Sequence, residues 1–110
     1  VFNTPRISRE ARRWLEMARD GYCAPTTRSP KLDDCERDEK GAFPVLTERA
    51  TWKMAAEACI QRCMQCAGCR YVSISLGFAD CSWYRTCDLQ ALSTVPSGFR
   101  SARVLRVNEY

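Results

Sequence analysis

The chain of 110 residues contains no histidine. Histidine is the commonest general base near neutral pH and a common neutral metal ligand, so its absence argues against most catalytic triads and metal sites. The sequence also has no glycine-rich phosphate loop and no recognisable pair of acid/base carboxylates. We therefore predict a protein that is not an enzyme, with no catalytic residues, no metal and no cofactor.

Lysine is scarce and long apolar runs are absent. The chain has 3 lysines against 14 arginines and a net charge of +4, with the cations interspersed among acids. Such mixing is typical of a solvated surface that pairs with carboxylates or phosphates, and we expect no nucleic-acid partner. No apolar run approaches the roughly 18 residues of a transmembrane helix, so no direct membrane span is predicted.

Cysteine, in contrast, is abundant. Eight cysteines in a chain of this length are an even and enriched set, which is typical of a disulfide framework. We expect a secreted protein, or one in an oxidising lumen such as the thylakoid lumen or an ER-derived compartment, and not a cytosolic one. Because no targeting segment stands at Val1, we expect that such a segment was removed from a precursor.

An amphipathic helix is predicted near the N-terminus. Thr4-Pro5 or Ser8 begins it, and Gly21 is expected to end it in the left-handed conformation that glycine tolerates. Its apolar positions recur at helical spacing, namely Ile7, Ala11, Trp14, Leu15 and Ala18. Two interpretations stay open: the helix lies on its own domain, or it docks on a partner with Trp14 as the anchor.

The next segment, residues 22–42, is predicted to be a loop because prolines and mixed charges interrupt any periodicity. It contains Cys23 and Cys35. Its acidic residues do not follow the spacing of a helix–loop–helix calcium site, so calcium binding is a weak alternative.

The remaining body predicts an α+β fold, one central helix packed on a short antiparallel sheet. Strands are predicted at 43–47, 71–76, 82–84 and 102–107, with a turn-rich connector at 93–98. Thr47 or Thr51 is expected to cap the central helix. The residues that share its buried face are Trp52, Ala55, Ala56, Cys59, Ile60 and Cys63.

The run Cys59-x3-Cys63-x2-Cys66-x2-Cys69 admits three interpretations. Structural disulfides are favoured, because Cys59 and Cys63 on consecutive turns are poorly placed to bond each other and should cross-link the helix to the sheet at two levels. A four-cysteine zinc site is the second interpretation. A redox-active Cys66-x2-Cys69 pair is the third, although it would close a helix, where the dipole does not lower a thiol pKa.

The cysteine motifs and the residues beside them resemble those of a known domain family. Cys59-Ile-Gln-Arg-Cys63, Cys66-Ala-Gly-Cys69-Arg-Tyr71, Cys81-Ser-Trp83-Tyr and Cys87-Asp-Leu resemble the PAN/apple domain family over roughly residues 43–107. The resemblance implies a helix cradled by a curved antiparallel sheet, and it implies the pairs Cys59–Cys81 and Cys63–Cys69. The four additional cysteines are assigned the hypothetical pairs Cys66–Cys87 and Cys23–Cys35. The expected organisation is an extension over 1–42 followed by a PAN/apple-like domain over 43–110.

Two functions are compatible with these features. The resemblance implies a module that binds a protein or a carbohydrate through Tyr71, Trp83, Tyr84 and Arg85, although Trp83 and Tyr71 also suit a core. The alternative is a structural accessory subunit on the oxidising side of a larger membrane complex, for example a photosynthetic complex in the thylakoid lumen. Its docking residues would be Trp14 and Leu15 of the first helix and Arg100, Arg103 and Arg106 of the last strand.

Overall fold

The computed structural model describes residues 7–26 and 34–106. Two helices pack on a five-stranded antiparallel sheet, which confirms the α+β prediction. The strand order across the sheet is β1-β5-β3-β4-β2. In chain order the elements are α1 Arg9–Met17, β1 Arg19–Asp20, β2 Lys40–Ala42, α2 Trp52–Met64, β3 Tyr71–Ser75, β4 Asp80–Tyr84 and β5 Phe99–Arg103.

Helix α1 begins at the predicted alternative cap, Ser8, whose Oγ accepts a hydrogen bond from the Ala11 N–H at 3.1 Å. The Ser8 N–H donates to both carboxylate oxygens of Glu57 on α2, at 3.0 and 3.1 Å. In a capping box this second bond comes from within the helix. Here α2 supplies it, so the start of α1 is fixed by a tertiary contact.

The predicted end of α1 at Gly21 is wrong. The helix ends at Met17, and Ala18 takes an extended conformation that leads directly into β1. Gly21 does have a positive φ of 117°, but for another reason: a Cβ there would lie 2.6 Å from the Leu92 Cβ. Glycine is needed where the chain crosses residues 92–93, not at a helix terminus.

Helix α2 follows the prediction closely. Thr51 is its N-cap, with Oγ1 accepting from the Met54 N–H at 3.2 Å. The inward face packs on the sheet side formed by Val72, Ile74, Cys81, Trp83 and Ala102. On α2 the buried members of that face are Ala55, Ala56, Cys59, Ile60 and Cys63.

One predicted strand is wrong and another is shifted. Residues 43–47 form no strand, and β2 lies at Lys40–Ala42, within the segment 22–42 that was predicted to be a loop: Phe43 donates its N–H to the Cys81 carbonyl at 2.8 Å, but Pro44 has no N–H to continue the ladder. The strand predicted at 102–107, of which Val107 lies outside the described residues, is β5, at Phe99–Arg103. Its ladder ends there because Arg103 pairs with Tyr71, the first residue of β3.

The disulfide pairs implied by the family resemblance are confirmed, whereas the hypothetical pairs of the additional cysteines are not. Cys59–Cys81 and Cys63–Cys69 are bonded, as the family resemblance implies. The hypothetical pairs Cys66–Cys87 and Cys23–Cys35 are wrong, because the structure joins Cys23 to Cys87 and Cys35 to Cys66. Chain folding brings their Cα atoms to 5.5 and 6.0 Å although 64 and 31 positions separate them in sequence.

Only one disulfide, Cys59–Cys81, links α2 to the sheet. The prediction that two disulfides cross-link the helix to the sheet is therefore wrong. Cys69 lies in the turn before β3, and its bond to Cys63 instead closes the end of α2 on itself. No cysteine is free. The zinc and redox alternatives therefore fail, since bonded sulfurs offer no thiolates and Cys66 and Cys69 have different partners. Four disulfides indicate an oxidising environment, extracellular or lumenal, rather than the cytosol.

The described residues among the first 42, 7–26 and 34–42, contribute to the same packed body as the rest. They supply α1, which packs on α2 and β5, and both edge strands of the sheet, β1 and β2. Two of the four disulfides fasten them to later residues. Within the described ranges, no helix combines the length and the apolar character that crossing a bilayer requires.

Candidate binding cleft

The sheet face opposite the helices is covered by one segment of chain. Alternation along β3 predicts that its serines face solvent, yet Ser73 and Ser75 are both fully buried. Residues 21–26, which we call the covering segment, lie across this face after β1 ends. The part of the outer face around Ser73, Ser82 and Ser101 is therefore an internal polar layer instead of a wetted surface.

Serine hydroxyls hold the covering segment in place. Ser101 donates its hydroxyl to the Gly21 carbonyl at 2.6 Å, and Ser101 and Ser73 share a 2.6 Å hydrogen bond. Ser73 Oγ also accepts from the Cys23 N–H at 3.1 Å. Small side chains suit this role because they satisfy buried backbone groups without separating the segment from the sheet.

The far end of the covering segment is fastened in the same manner. The hydroxyls of Thr26 and Ser82 are hydrogen-bonded at 2.7 Å, and Tyr84 donates its hydroxyl to the Ala24 carbonyl. Burial raises the pKa of the Tyr84 hydroxyl above its ordinary value of 10.0, so this donor stays protonated at physiological pH. The Cys23–Cys87 disulfide adds a covalent attachment.

An open cleft of about 350 Å³ lies beside the covering segment on this outer face. Its walls come from three parts of the chain: the covering segment itself, the β3–β4 turn with β4, and the start of β5 with the residues before it. The lining residues are Tyr22, Ala24, Pro25, Thr26, Phe78, Asp80, Ser82, Tyr84, Pro96 and Phe99. We call this the aromatic cleft.

Three aromatic rings in contact form one wall, with Phe78 stacked on Phe99 at 20° and Tyr22 tilted on Phe99 at 54°. Phe99 lies between the other two, with ring centroids 5.1 Å from Tyr22 and 5.7 Å from Phe78. Phe78 is 57% exposed, although its backbone is held by an N–H donated to Ser75 Oγ at 3.2 Å. A large apolar side chain fixed in an exposed position is a feature of binding surfaces.

Of the residues that the structure describes, Asp80 is the charged member of the cleft lining. Asp80 Oδ2 accepts a hydrogen bond from the Ser82 hydroxyl at 2.6 Å. Among the described residues, no arginine or lysine forms an ion pair with Asp80. The described lining thus combines aromatic walls with the Asp80 carboxylate, which no described cation neutralises.

The aromatic residues predicted to bind ligand are distributed differently from the expectation. Trp83 is fully buried and stacks on Phe43 with centroids 6.0 Å apart, so the core alternative is the correct one. Tyr84 is 2% exposed, so it forms part of the cleft wall but offers a ligand almost no free surface. Tyr71 is partly exposed and sits between Tyr84 and Arg103 in the cross-strand register, so these three residues are neighbours.

The predicted docking residues of α1 pack into their own chain. Trp14 is 1% exposed and donates its indole N–H to the Ala102 carbonyl of β5 at 3.3 Å. Leu15 is partly buried against the same core. A buried tryptophan cannot anchor a partner, so the partner-docking interpretation of Trp14 is wrong.

Arg85, predicted to bind a ligand, instead forms hydrogen bonds within its own chain. Its guanidinium donates to the carbonyls of Glu36 and Asp38 at 3.1–3.2 Å. This fixes the loop that carries Cys35 beside Cys66. Glu36 lies near those two sulfurs, but the sulfurs are bonded to each other and supply no metal ligands.

The three C-terminal arginines have separate positions. Arg106 closes the end of α2 by donating to the carbonyls of Cys63, Met64, Cys66 and Cys69 at 3.1–3.5 Å. Arg100 lies over the Trp52 ring, 4.3 Å from its centroid, and Arg103 is exposed on the outer face. They do not form one docking surface.

Sequence reasoning missed Tyr22, Phe78 and Phe99. They stand far apart in the chain and meet only because β5 pairs beside β1 and the β3–β4 turn lies next to them. One local signal existed, a phenylalanine inside the Gly77–Asp80 turn, where polar residues are usual.

A second exposed surface lies on α1, where Arg9, Arg12, Arg13 and Glu16 border a shallow depression. Arg13 and Glu16 form an exposed ion pair at 3.8 Å. Exposed pairs of this kind contribute little to stability, and the surface has no aromatic or buried polar group to orient a ligand.

Comparison with known proteins identifies no relative for this arrangement. No protein-family model matches the chain, and neither the curated proteins nor the solved structures contain a significant match.

Proposed function

We propose that this domain is a non-enzymatic binding module, PAN/apple-like in its cysteine and aromatic motifs, that engages a protein partner through the aromatic cleft. The observation that carries the proposal is the row of contacting rings Tyr22, Phe99 and Phe78, which ends in a phenylalanine 57% exposed. Exposing that ring to water costs free energy that a bound partner recovers.

The cleft has the rigidity that recognition requires. Its covering wall is attached by serine hydrogen bonds and by the Cys23–Cys87 disulfide, so little conformational freedom is lost when a ligand binds. Rigid presentation of a surface also gives the four disulfides a role in function beside their role in stability.

A protein ligand fits the cleft better than a carbohydrate does. Sugars need several free hydrogen-bonding groups beside an aromatic platform. Here the polar lining atoms are mostly occupied: Thr26 bonds Ser82, Ser82 bonds Asp80, and Tyr84 bonds the Ala24 carbonyl. Carbohydrate binding is therefore an alternative outcome of the experiment below.

The alternative function, an accessory subunit docked on a lumenal complex such as a photosynthetic one, depended on Trp14 as an exposed anchor. Trp14 is buried in its own core, and the three C-terminal arginines lie apart. No specific contact of the described residues favours this alternative.

Two matched substitutions test the proposal. Phe78→Ala removes the exposed ring of the cleft, and Met54→Ala removes a side chain of similar exposure, 53%, on the distant helix α2. The oxidised chain and both variants would be used to isolate partners from the extracellular or lumenal fraction, and in parallel would be applied to a glycan array.

We expect a stoichiometric protein partner that the wild type and Met54→Ala retain and that Phe78→Ala loses. A glycan bound with the same dependence on Phe78 would keep the cleft as the site and change the ligand class. Binding that responds equally to both substitutions, or to neither, would contradict the cleft as the functional surface.

A further inference from the structure

We propose that the aromatic cleft recognises a basic side chain, an arginine or lysine of the protein partner, by placing its cationic group between the aromatic wall and the Asp80 carboxylate. This inference rests on the proposed function and specifies the ligand chemistry of the same site.

The walls have the composition that suits a cation. Tyr22, Phe78, Phe99 and Tyr84 line the cleft together with two prolines. The face of an aromatic ring carries negative electrostatic potential, which attracts guanidinium and ammonium groups. The same chain shows this contact twice elsewhere, with Arg62 over the Phe43 ring at 4.7 Å and Arg100 over the Trp52 ring at 4.3 Å.

The negative charge of Asp80 determines which sign of charge the cleft accepts in a ligand. Asp80 is the charged member of the lining, and in the described part of the chain its bonded partner is the neutral Ser82 hydroxyl. That bond uses Oδ2 and leaves Oδ1 able to accept from a ligand. A carboxylate beside apolar walls repels an acidic ligand and attracts a cation more strongly than it would in open water.

The dimensions of the cleft select a side chain over a folded element. Its volume of about 350 Å³ is at the lower end of ligand pockets, enough for one long side chain and the backbone beside it. The aliphatic part of lysine or arginine would contact the prolines and Phe78 while the charged end reaches Asp80.

The net charge of the chain does not provide this selectivity. At +4 the whole molecule weakly repels cations, and the arginines of α1 contribute to that charge. A preference for a basic ligand must therefore come from the cleft itself. This makes the inference testable with short peptides that differ in charge and little else.

The test uses the oxidised wild-type chain labelled with ¹⁵N and four peptides. Acetyl-Gly-Arg-Gly-amide is compared with its neutral citrulline counterpart, and acetyl-Gly-Lys-Gly-amide with its Nε-acetyl-lysine counterpart. We expect amide shifts centred on Phe78, Asp80 and Phe99, and a dissociation constant about tenfold lower for a charged peptide than for its neutral isostere.

Three variants show which residues produce the preference for a charged peptide over a neutral one. Asp80→Asn should remove the charged-over-neutral ratio, Phe78→Ala should weaken both members of a pair, and Met54→Ala should change neither. The wild-type comparison does not depend on any variant folding. Equal affinity within both peptide pairs, or shifts away from the cleft, would overturn the cationic ligand. If Phe78-dependent partner binding persisted in that case, the proposed function would stand without this inference.

Discussion

Gly68 shows how a single residue controls the placement of a disulfide. A Cβ at Gly68 would lie 2.0 Å from the Cys35 carbonyl oxygen and 2.8 Å from Arg85 Nη2. The close approach lets the loop of Cys35 lie against the turn of Cys66, where the bond forms. Glycine is required here by lack of space and not by backbone conformation, since Gly68 has no positive φ.

We predict that Gly68→Ala lowers the free energy of unfolding by at least about 2 kcal/mol, because backbone atoms must move to admit the methyl group. Gly77→Ala is the matched control, since its Cβ would meet only Ser75 Oγ at 4.0 Å. That change should stay within about 0.5 kcal/mol of the wild type. Urea denaturation of the oxidised proteins measures both. Equal stabilities of the two variants would contradict the packing at Gly68.

At the scale of elements, both helices depend on residues distant in sequence. Helix α1 is started by Glu57 of α2 and held on the sheet by Trp14, while α2 is ended by Arg106. The guanidinium satisfies carbonyls at a helix C-terminus, where the helix dipole favours positive charge. Helices of 9 and 13 residues are marginal in isolation, so these contacts decide their bounds.

We predict that Arg106→Ala destabilises the protein by about 2 kcal/mol, because carbonyls at the end of α2 lose a charged donor. Arg106→Lys should recover only part of the loss, since a single ammonium cannot reach carbonyls spread over the turn as a planar guanidinium does. The control is Arg70→Ala, an exposed arginine. The measurement is again urea denaturation, and similar losses for Arg106→Ala and Arg70→Ala would refute the capping role.

For the whole molecule, the four disulfides differ in what they connect. Cys59–Cys81 links helix to sheet, Cys63–Cys69 and Cys35–Cys66 secure the turn after α2, and Cys23–Cys87 holds the covering segment. The last of these spans 64 positions and holds the chain between the cleft-lining residues Tyr22 and Ala24, whereas Cys63–Cys69 spans 6. Longer closed loops restrict the unfolded chain more.

We predict that Cys23→Ala with Cys87→Ala lowers the free energy of unfolding by about 4 kcal/mol and Cys63→Ala with Cys69→Ala by about 2 kcal/mol, from loop entropy. Only the first pair should also weaken ligand binding, because it releases a wall of the cleft. Denaturation under non-reducing conditions gives the stabilities. The reverse order would show that packing around the buried Cys63–Cys69 bond outweighs chain entropy.

Residue pattern alone determined the α+β class and the inward face of α2, offered Ser8 and Thr51 each as one of two possible caps and, through the family resemblance, implied two of the disulfides. These features depend on neighbours within one or two helical turns or on spacing within one cysteine run, which a linear pattern preserves. Tertiary structure decided the rest. It buried Ser73 beneath the covering segment and Ser75 beside the β3–β4 turn, paired Cys23 with Cys87, and converted Trp14 from a candidate anchor into core.

The aromatic cleft was decided entirely by the tertiary structure. Tyr22, Phe78 and Phe99 meet because strand order places β5 between β1 and β3, and no periodicity of the sequence encodes that order. Local pattern specifies which face of an element is apolar, whereas the partner of that face depends on the long-range pairing of the whole chain. For Asp80, only its place beside three rings points to a ligand.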